Sequence, residues 1–133
     1  MTLYVDSSAL LKRYVAEHDS EAAEQLMATD PVLVTSRLTE AEVRRNLSRL
    51  LSTSDASAAK RQFLNDMDSF ALVSLDAATC NEAARIAEQV LCRSLDALHL
   101  AAALRAGPST TLLTFDNRQA QAGRSLGLSV IGT

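Results

Sequence analysis

Five short runs of β-favouring residues punctuate this chain: Leu3-Tyr4-Val5, Val32-Leu33-Val34-Thr35, Phe70 to Leu75, Thr111 to Phe115 and Leu128-Ser129-Val130-Ile131. Each is too short for a helix, and several are apolar at consecutive positions, as strands buried on both faces are. Stretches with helical spacing separate them, and no Asn-Gly or Asp-Gly joins one run to the next. Without a hairpin signal, neighbouring strands must be linked by crossovers, which make them parallel. The expected fold class is therefore α/β: a three-layer α/β/α sandwich around a central, mostly parallel sheet of four to five strands.

The helical stretches carry their own punctuation. Ala9 to about Ala16 reads as a first helix and Ser20 to Met27 as a second, with Ser20 as a candidate N-cap and Asp30-Pro31 as its break. Ser36 or Thr39 is placed to cap a third helix, with Val43, Leu47, Leu50 and Leu51 as its apolar stripe. After the polar interruption Ser52-Thr53-Ser54-Asp55, Phe63, Leu64 and Met67 mark a fourth, expected to pair with the third as a hairpin. Asp76 caps a helix through Ala83, Ile86 and Val90; Ser94 opens another, which Gly107-Pro108 stops. A last one runs from Asn117 to Leu126 and closes at Gly127. At 133 residues, without a repeat or linker, the chain is expected to form a single domain over residues 1–133.

Composition excludes several classes. Mean hydropathy is +0.03, and no apolar stretch approaches the ~20 residues a spanning helix needs, so no membrane partner is expected. The start, Met1 to Asp6, lacks the basic region of a signal peptide, which points to the cytoplasm. Cys80 and Cys92 read as lying on one helix, ~18 Å apart at a rise of about 1.5 Å per residue, too far to bridge. With His18 and His99 distant, no zinc spacing can be assembled either. Thirteen basic residues stand against sixteen acidic ones, a net charge of −3. With four candidate site acids set aside, thirteen stand against twelve and the remainder carries +1, which neither requires nor excludes nucleic acid.

Those acids are where chemistry is expected. Leu3-Tyr4-Val5 ends on Asp6, and Leu112-Leu113-Thr114-Phe115 ends on Asp116, each followed by a helix. Ligands of open parallel sheets sit outside the carboxyl ends of the strands, so two strands closing on acids aim two carboxylates at one place. Asp96 stands in the first turn of a helix that is apolar or small from Leu95 to Leu104 except for Asp96 and His99. A helix apolar nearly all round is buried, and a buried carboxylate needs a partner or a metal, although first-turn capping alone also favours an acid there. Hard cations such as Mg²⁺ or Mn²⁺ take converging carboxylates, and in phosphodiester hydrolysis they activate water and offset charge without a side-chain nucleophile.

Read together, Tyr4-Val5-Asp6-Ser7-Ser8-Ala9-Leu10-Leu11-Lys12-Arg13-Tyr14, Ser36-Arg37-Leu38-Thr39-Glu40-Ala41-Glu42-Val43, Arg93-Ser94-Leu95-Asp96-Ala97-Leu98-His99-Leu100-Ala101 and Leu113-Thr114-Phe115-Asp116 carry a specific resemblance. In order and spacing they resemble PIN-domain ribonucleases, and within these the VapC-type toxins of toxin–antitoxin pairs. The resemblance implies a PIN-like fold and a catalytic quartet of Asp6, Glu42, Asp96 and Asp116. It further implies Mg²⁺ or Mn²⁺ held chiefly by Asp6, Asp96 and Asp116, cleavage of RNA such as tRNA, neutralisation by a VapB-like antitoxin, and a homodimer.

Periodicity and resemblance part company at one place. At about 100° per residue Glu40 falls beside Val43 and Leu47, whereas Glu42 falls with Arg45, Asn46 and Arg49. Periodicity nominates Glu40 as the unusual acid; the resemblance nominates Glu42, which is followed here. His99 reads first as a satisfied core histidine, with orientation of Asp96 or contact with RNA as the functional alternative. Ser7 and Thr114 suit a metal-bound water or, more simply, cap and strand. Arg44, Arg45, Arg49, Lys60 and Arg61 read first as a solvated basic face and second as phosphate or antitoxin contacts. Two other functions compete. An acidic-pocket phosphotransfer or phosphatase domain also binds Mg²⁺, but Asp6 is followed by Ser7-Ser8 rather than a second acid, and no lysine follows Lys60. A non-catalytic PIN-like module binding RNA or protein is disfavoured by the presence of all four acids.

Overall fold

In the computed structural model, which describes residues 2–133, Leu3, Tyr4 and Val5 form the centre of one sheet and are almost wholly buried. Their strand, β1 (Thr2–Val5), is flanked by β2 (Leu33–Ser36) and β4 (Thr110–Leu113). Outside these lie β3 (Ala71–Val73) and β5 (Ser129–Ile131), giving the order β3-β2-β1-β4-β5. All four pairings are parallel, with Tyr4 level with Val34 on one side and Leu112 on the other. The sheet thus has five strands and, among the described residues, no antiparallel pairing. The two edge strands have three residues each and are only partly buried, which limits the exposed edge.

Alternation along the strands sets the layers. Leu3, Val5 and Leu113 point to one face, where they pack with Leu10, Met27, Val43, Leu47 and Phe63. Tyr4, Val34 and Leu112 point to the other and pack with Ile86, Leu100, Ala101 and Ala122. The first face is covered by α1 (Ser7–Leu11), α2 (Ser20–Met27), α3 (Arg37–Leu50) and α4 (Thr53–Met67). The second is covered by α5 (Ala77–Gln89), α6 (Ser94–Arg105) and α7 (Asn117–Ser125). Two cores on opposite faces of one sheet make the three-layer sandwich. The alanines of α6 let it lie close to the sheet, and Gly123 does the same for α7: a Cβ there would meet Leu112 Cδ2 at 3.0 Å and Val130 Cγ2 at 3.2 Å.

Several boundaries differ from expectation for local reasons. The first helix ends at Leu11, and Lys12 then turns back to pair with Asp19 at 2.8 Å and lies 5.0 Å from the centre of the Phe115 ring. Asp19, not Ser20, occupies the N-cap of α2, while the Ser20 hydroxyl accepts from the Glu17 N–H. Ser36 sits at the N-cap of α3 without a side-chain cap bond, and Thr39 turns inward to Thr35 at 2.7 Å. Asp76 caps α5 as expected, accepting from the Thr79 N–H at 2.9 Å. That helix stops at Gln89, so Cys92 lies beyond it rather than on the same helix as Cys80; both cysteines are free. No helix among the described residues is long and apolar enough to cross a membrane.

The chain builds outward from β1 through β2 to β3, then returns across the sheet to lay β4 and β5 on the other side of β1. The strand order reverses between β1 and β4, and such a switch point opens a crevice at the carboxyl ends of the strands. Asp6 follows β1 directly, and Asp116 follows β4 by three residues.

Candidate active site

The pairing of Val5 with Leu113 brings the ends of β1 and β4 level, and the Asp6 N–H donates to the Leu113 carbonyl at 3.2 Å. Asp6 is the N-cap of α1, its Oδ1 accepting from the Ala9 N–H at 3.0 Å and the Ser8 hydroxyl at 2.7 Å. Ser8 also accepts from the Phe115 N–H at 3.0 Å, so one serine ties the two acidic strand ends together. Asp116 caps α7 through the N–H groups of Arg118 and Gln119, and its own N–H donates to the Thr114 hydroxyl at 3.1 Å. Both acids are thus fixed by their own helix starts, where the dipole favours negative charge.

Asp96 enters from the other face, in the first turn of α6, and is largely buried. Its Oδ2 is 3.3 Å from Arg93 Nε, and Arg93 Nη2 lies 3.9 Å from Asp116 Oδ2. The guanidinium therefore spans two of the acids. Glu42 enters from α3, where Ser7 Oγ donates to its Oε1 at 2.6 Å and His99 Nε2 stands 2.5 Å from the same oxygen. His99 Nδ1 is 2.9 Å from the Tyr4 hydroxyl. The result is a chain of bonds, Tyr4–His99–Glu42–Ser7, running from the buried middle of the sheet to the partly exposed Glu42 in the cleft.

Environment separates these carboxylates. Burial pushes the Asp6 carboxyl above its ordinary value, against the lowering effect of the nearby His99 and of bonds from Thr114, Ser8 and the Ala9 N–H. Burial also raises Glu42, but the His99 bond and charge and the Ser7 hydroxyl outweigh it and hold Glu42 below the usual carboxylate range. Tyr4 is pushed far above its ordinary value, chiefly by burial, and stays a neutral phenol.

Asp6, Glu42, Asp96 and Asp116 all line one cleft of about 430 Å³, with Ser7, Arg93, His99 and Gln119 between them. All four acids singled out in the sequence are therefore brought together. Glu40 is not: it pairs with Arg44 at 3.5 Å on the far flank of α3. His99 is a buried, satisfied histidine, as first read, but its partners are Glu42 and Tyr4 rather than Asp96. Tyr4, Arg93 and Gln119 had not been singled out. Arg93 and Gln119 each lie three residues from an acid, one turn of helix; the signal for Tyr4 was a polar tip in a central strand.

The donor set fits a hard divalent cation by chemistry: it is all oxygen, and Asp6 is desolvated with no cationic side chain bonded to it. Among the described residues, no three acidic, histidine or cysteine side chains already surround a common point, and Arg93 supplies the positive charge across Asp96 and Asp116. A second cavity of about 800 Å³ adjoins the cleft, sharing Arg93 and Asp96 and adding Arg118, Arg124 and the fully exposed Leu91. Of the basic residues read first as a solvated face, Arg44 is engaged by Glu40 and Arg49 by Asn46 on α3.

A sequence model of the PIN domain matches residues 3–125. With the switch-point cleft and its four acids, that match defines the class: the chain belongs to the PIN-domain family. Its relatives lie among the VapC proteins. It is 37% identical to Ribonuclease VapC46 of Mycobacterium tuberculosis over 130 residues, 97% of this chain and 95% of the relative. Its fold is similar to that in a toxin–antitoxin complex from Klebsiella pneumoniae, with a TM-score of 0.74 at 14% identity over 99% of this chain and 97% of that one. It is likewise similar to VapC20 of Mycobacterium tuberculosis, a sarcin-ricin loop cleaving toxin, with a TM-score of 0.74 at 21% identity over 91% and 95% of the two chains.

Proposed function

We propose that this chain is a VapC-like endoribonuclease toxin, a single PIN-like domain that cleaves RNA in the cytoplasm with Mg²⁺ or Mn²⁺. The observation that carries the reading is the convergence of Asp6, Glu42, Asp96 and Asp116 on one cleft at the sheet's switch point. The identity to Ribonuclease VapC46 over nearly the whole chain supports RNA as the substrate class. Asp6, Asp96 and Asp116 would hold the cation. A bound divalent cation supplies charge neutralisation for the phosphodiester and a more acidic attacking water.

The chain's own residues do the rest. His99 and Ser7 both bond Oε1 of Glu42, so Glu42 stays ionised and fixed while Oε2 remains available to accept a proton from, or orient, the attacking water. The Ala9 N–H and the Ser8 hydroxyl hold Asp6 in one rotamer, and Arg118 and Gln119 hold Asp116 through their N–H groups. Arg93, exposed at the mouth of the cleft and spanning Asp96 and Asp116, is placed to pair with a substrate phosphate if a cation takes over its role between those carboxylates. Neutralisation by a VapB-like antitoxin belongs to the same proposal, supported by the likeness to the Klebsiella pneumoniae toxin–antitoxin complex, and assembly as a homodimer is proposed with it.

The test is cutting of labelled total RNA by purified protein in Mn²⁺. Cleavage that EDTA abolishes and that Asp6→Asn lowers by at least about a hundredfold supports the reading. Undiminished cutting by Asp6→Asn would trace the activity to a contaminant and remove the assignment. One observation favours a non-catalytic RNA- or protein-binding module, namely the Arg93 guanidinium lying across Asp96 and Asp116. That reading predicts RNA binding without cutting in either metal.

A further inference from the structure

On α7, one turn after Asp116, stands a residue the scheme above uses only through its backbone. Gln119 is 1% exposed, and neither its Oε1 nor its Nε2 has a hydrogen-bond partner among the described residues. The hydroxyls of Ser36 and Thr110 also lack a partner, but each is a single small group, whereas His99 bonds Tyr4 and Glu42 and only Gln119 has both a separate donor and a separate acceptor unpaired among the described residues. A buried carboxamide with both ends unpaired is costly, because it has given up its bonds to water for nothing. Packing does not call for it either. The remaining buried positions of α7 are Ala120, Ala122 and Gly123, and a leucine would fill a space of nearly this size without the cost.

The position of Gln119 indicates what its two free groups are for. It lines the acid cleft together with Asp6, Asp96 and Asp116. From the juxtaposition of an unpaired, fully buried carboxamide with these three carboxylates, we infer that Gln119 is a positioning residue for a hydrated divalent cation, acting through the cation's waters and the carboxylates rather than as a direct ligand. The inference rests on the metal-dependent reading given above. Mg²⁺ and Mn²⁺ bound by a few carboxylates keep several waters, whose protons need acceptors, and carboxylates that ligate need donors on their remaining lone pairs. A carboxamide offers one group of each kind: Oε1 accepts from a water, and Nε2 donates to a carboxylate oxygen. It does so while adding no charge to a cleft that already holds four acids.

The decisive measurement is the Mn²⁺ affinity of the full-length protein, read by calorimetry or by the electron paramagnetic resonance of free Mn²⁺, with no RNA present. Gln119→Leu is expected to weaken Mn²⁺ binding about tenfold or more, while the metal-free protein melts at the same temperature or higher. Gln119→His, whose neutral imidazole offers one donor and one acceptor, is expected to recover more of the affinity than Gln119→Leu. Unchanged Mn²⁺ affinity in Gln119→Leu overturns the inference while leaving the nuclease reading in place. So does a lowered melting temperature of metal-free Gln119→Leu, which would mark the amide as an internally satisfied part of the core. If wild-type protein binds no Mn²⁺ at all, both readings fall, and the wild-type titration separates that case from the others.

Discussion

Glu40 and Glu42 are two residues apart on one helix, and they have different surroundings. Glu40 pairs with Arg44 near the surface, where an ion pair is worth little. Glu42 takes bonds from Ser7 and His99 inside the cleft and is held ionised by them. Glu42→Gln is therefore expected to lower cleavage by about a hundredfold or more with the fold intact, and Glu40→Gln to leave it within about twofold. Single-turnover cleavage rates beside far-ultraviolet circular dichroism spectra check both. Loss of activity in Glu40→Gln alone would shift the assignment by half a turn and disconnect His99 from the chemistry.

The helices matter as elements because three of them begin at acids of the site. Asp6 starts α1, Asp116 starts α7 and Asp96 lies in the first turn of α6, so any change in how a helix seats on the sheet moves a carboxylate. Gly123 sets the seat of α7. The side chains it faces, Leu112 and Val130, lie close enough that an added methyl forces them or the helix to give way. Gly123→Ala is accordingly expected to destabilise the protein by about 1–3 kcal/mol, overpacking outweighing the better helix propensity of alanine. The same shift carries Asp116 and Gln119 outward and lowers cleavage. Denaturant melts compared with cleavage rates check this; a Gly123→Ala protein as stable and active as wild type would mean that α7 has slack against the sheet.

For the molecule as a whole, the acids impose a conflict that the proposed cation would resolve. Asp6 is buried with its carboxyl raised above the ordinary value, so its charged form opposes folding at neutral pH. The sign follows from that direction: the opposition is absent below the ordinary carboxylate range and complete once the pH has risen through the raised value. Asp6→Asn keeps a capping side chain and removes the charge, so the metal-free variant is expected to melt a few degrees above wild type at pH 7. Mn²⁺ should then raise the melting temperature of wild type and leave Asp6→Asn nearly unmoved. Differential scanning calorimetry with EDTA or Mn²⁺ measures both, and equal Mn²⁺ shifts in the two proteins would place the cation away from Asp6.

Local chemistry made much of this protein legible in its residues. Short β-favouring runs separated by helices, with no hairpin turns, fixed a parallel sheet between helical layers, because crossover connections admit little else. Asp6 and Asp116 could be read as strand-end acids for the same reason, and Asp96 stood out as a charge on an apolar helix. The strand order β3-β2-β1-β4-β5 could not be read, since it depends on which strands pair at a distance. Periodicity gave each glutamate of α3 an angle about the helix axis, but not the neighbour waiting at that angle. Only the packing of α3 beside α1 and α6 gave Glu42 to Ser7 and His99 and left Glu40 to Arg44. Arg93 and Gln119 likewise drew their meaning from residues distant in the chain. A side chain's propensities are its own; its electrostatic surroundings are made by the groups that folding brings to it.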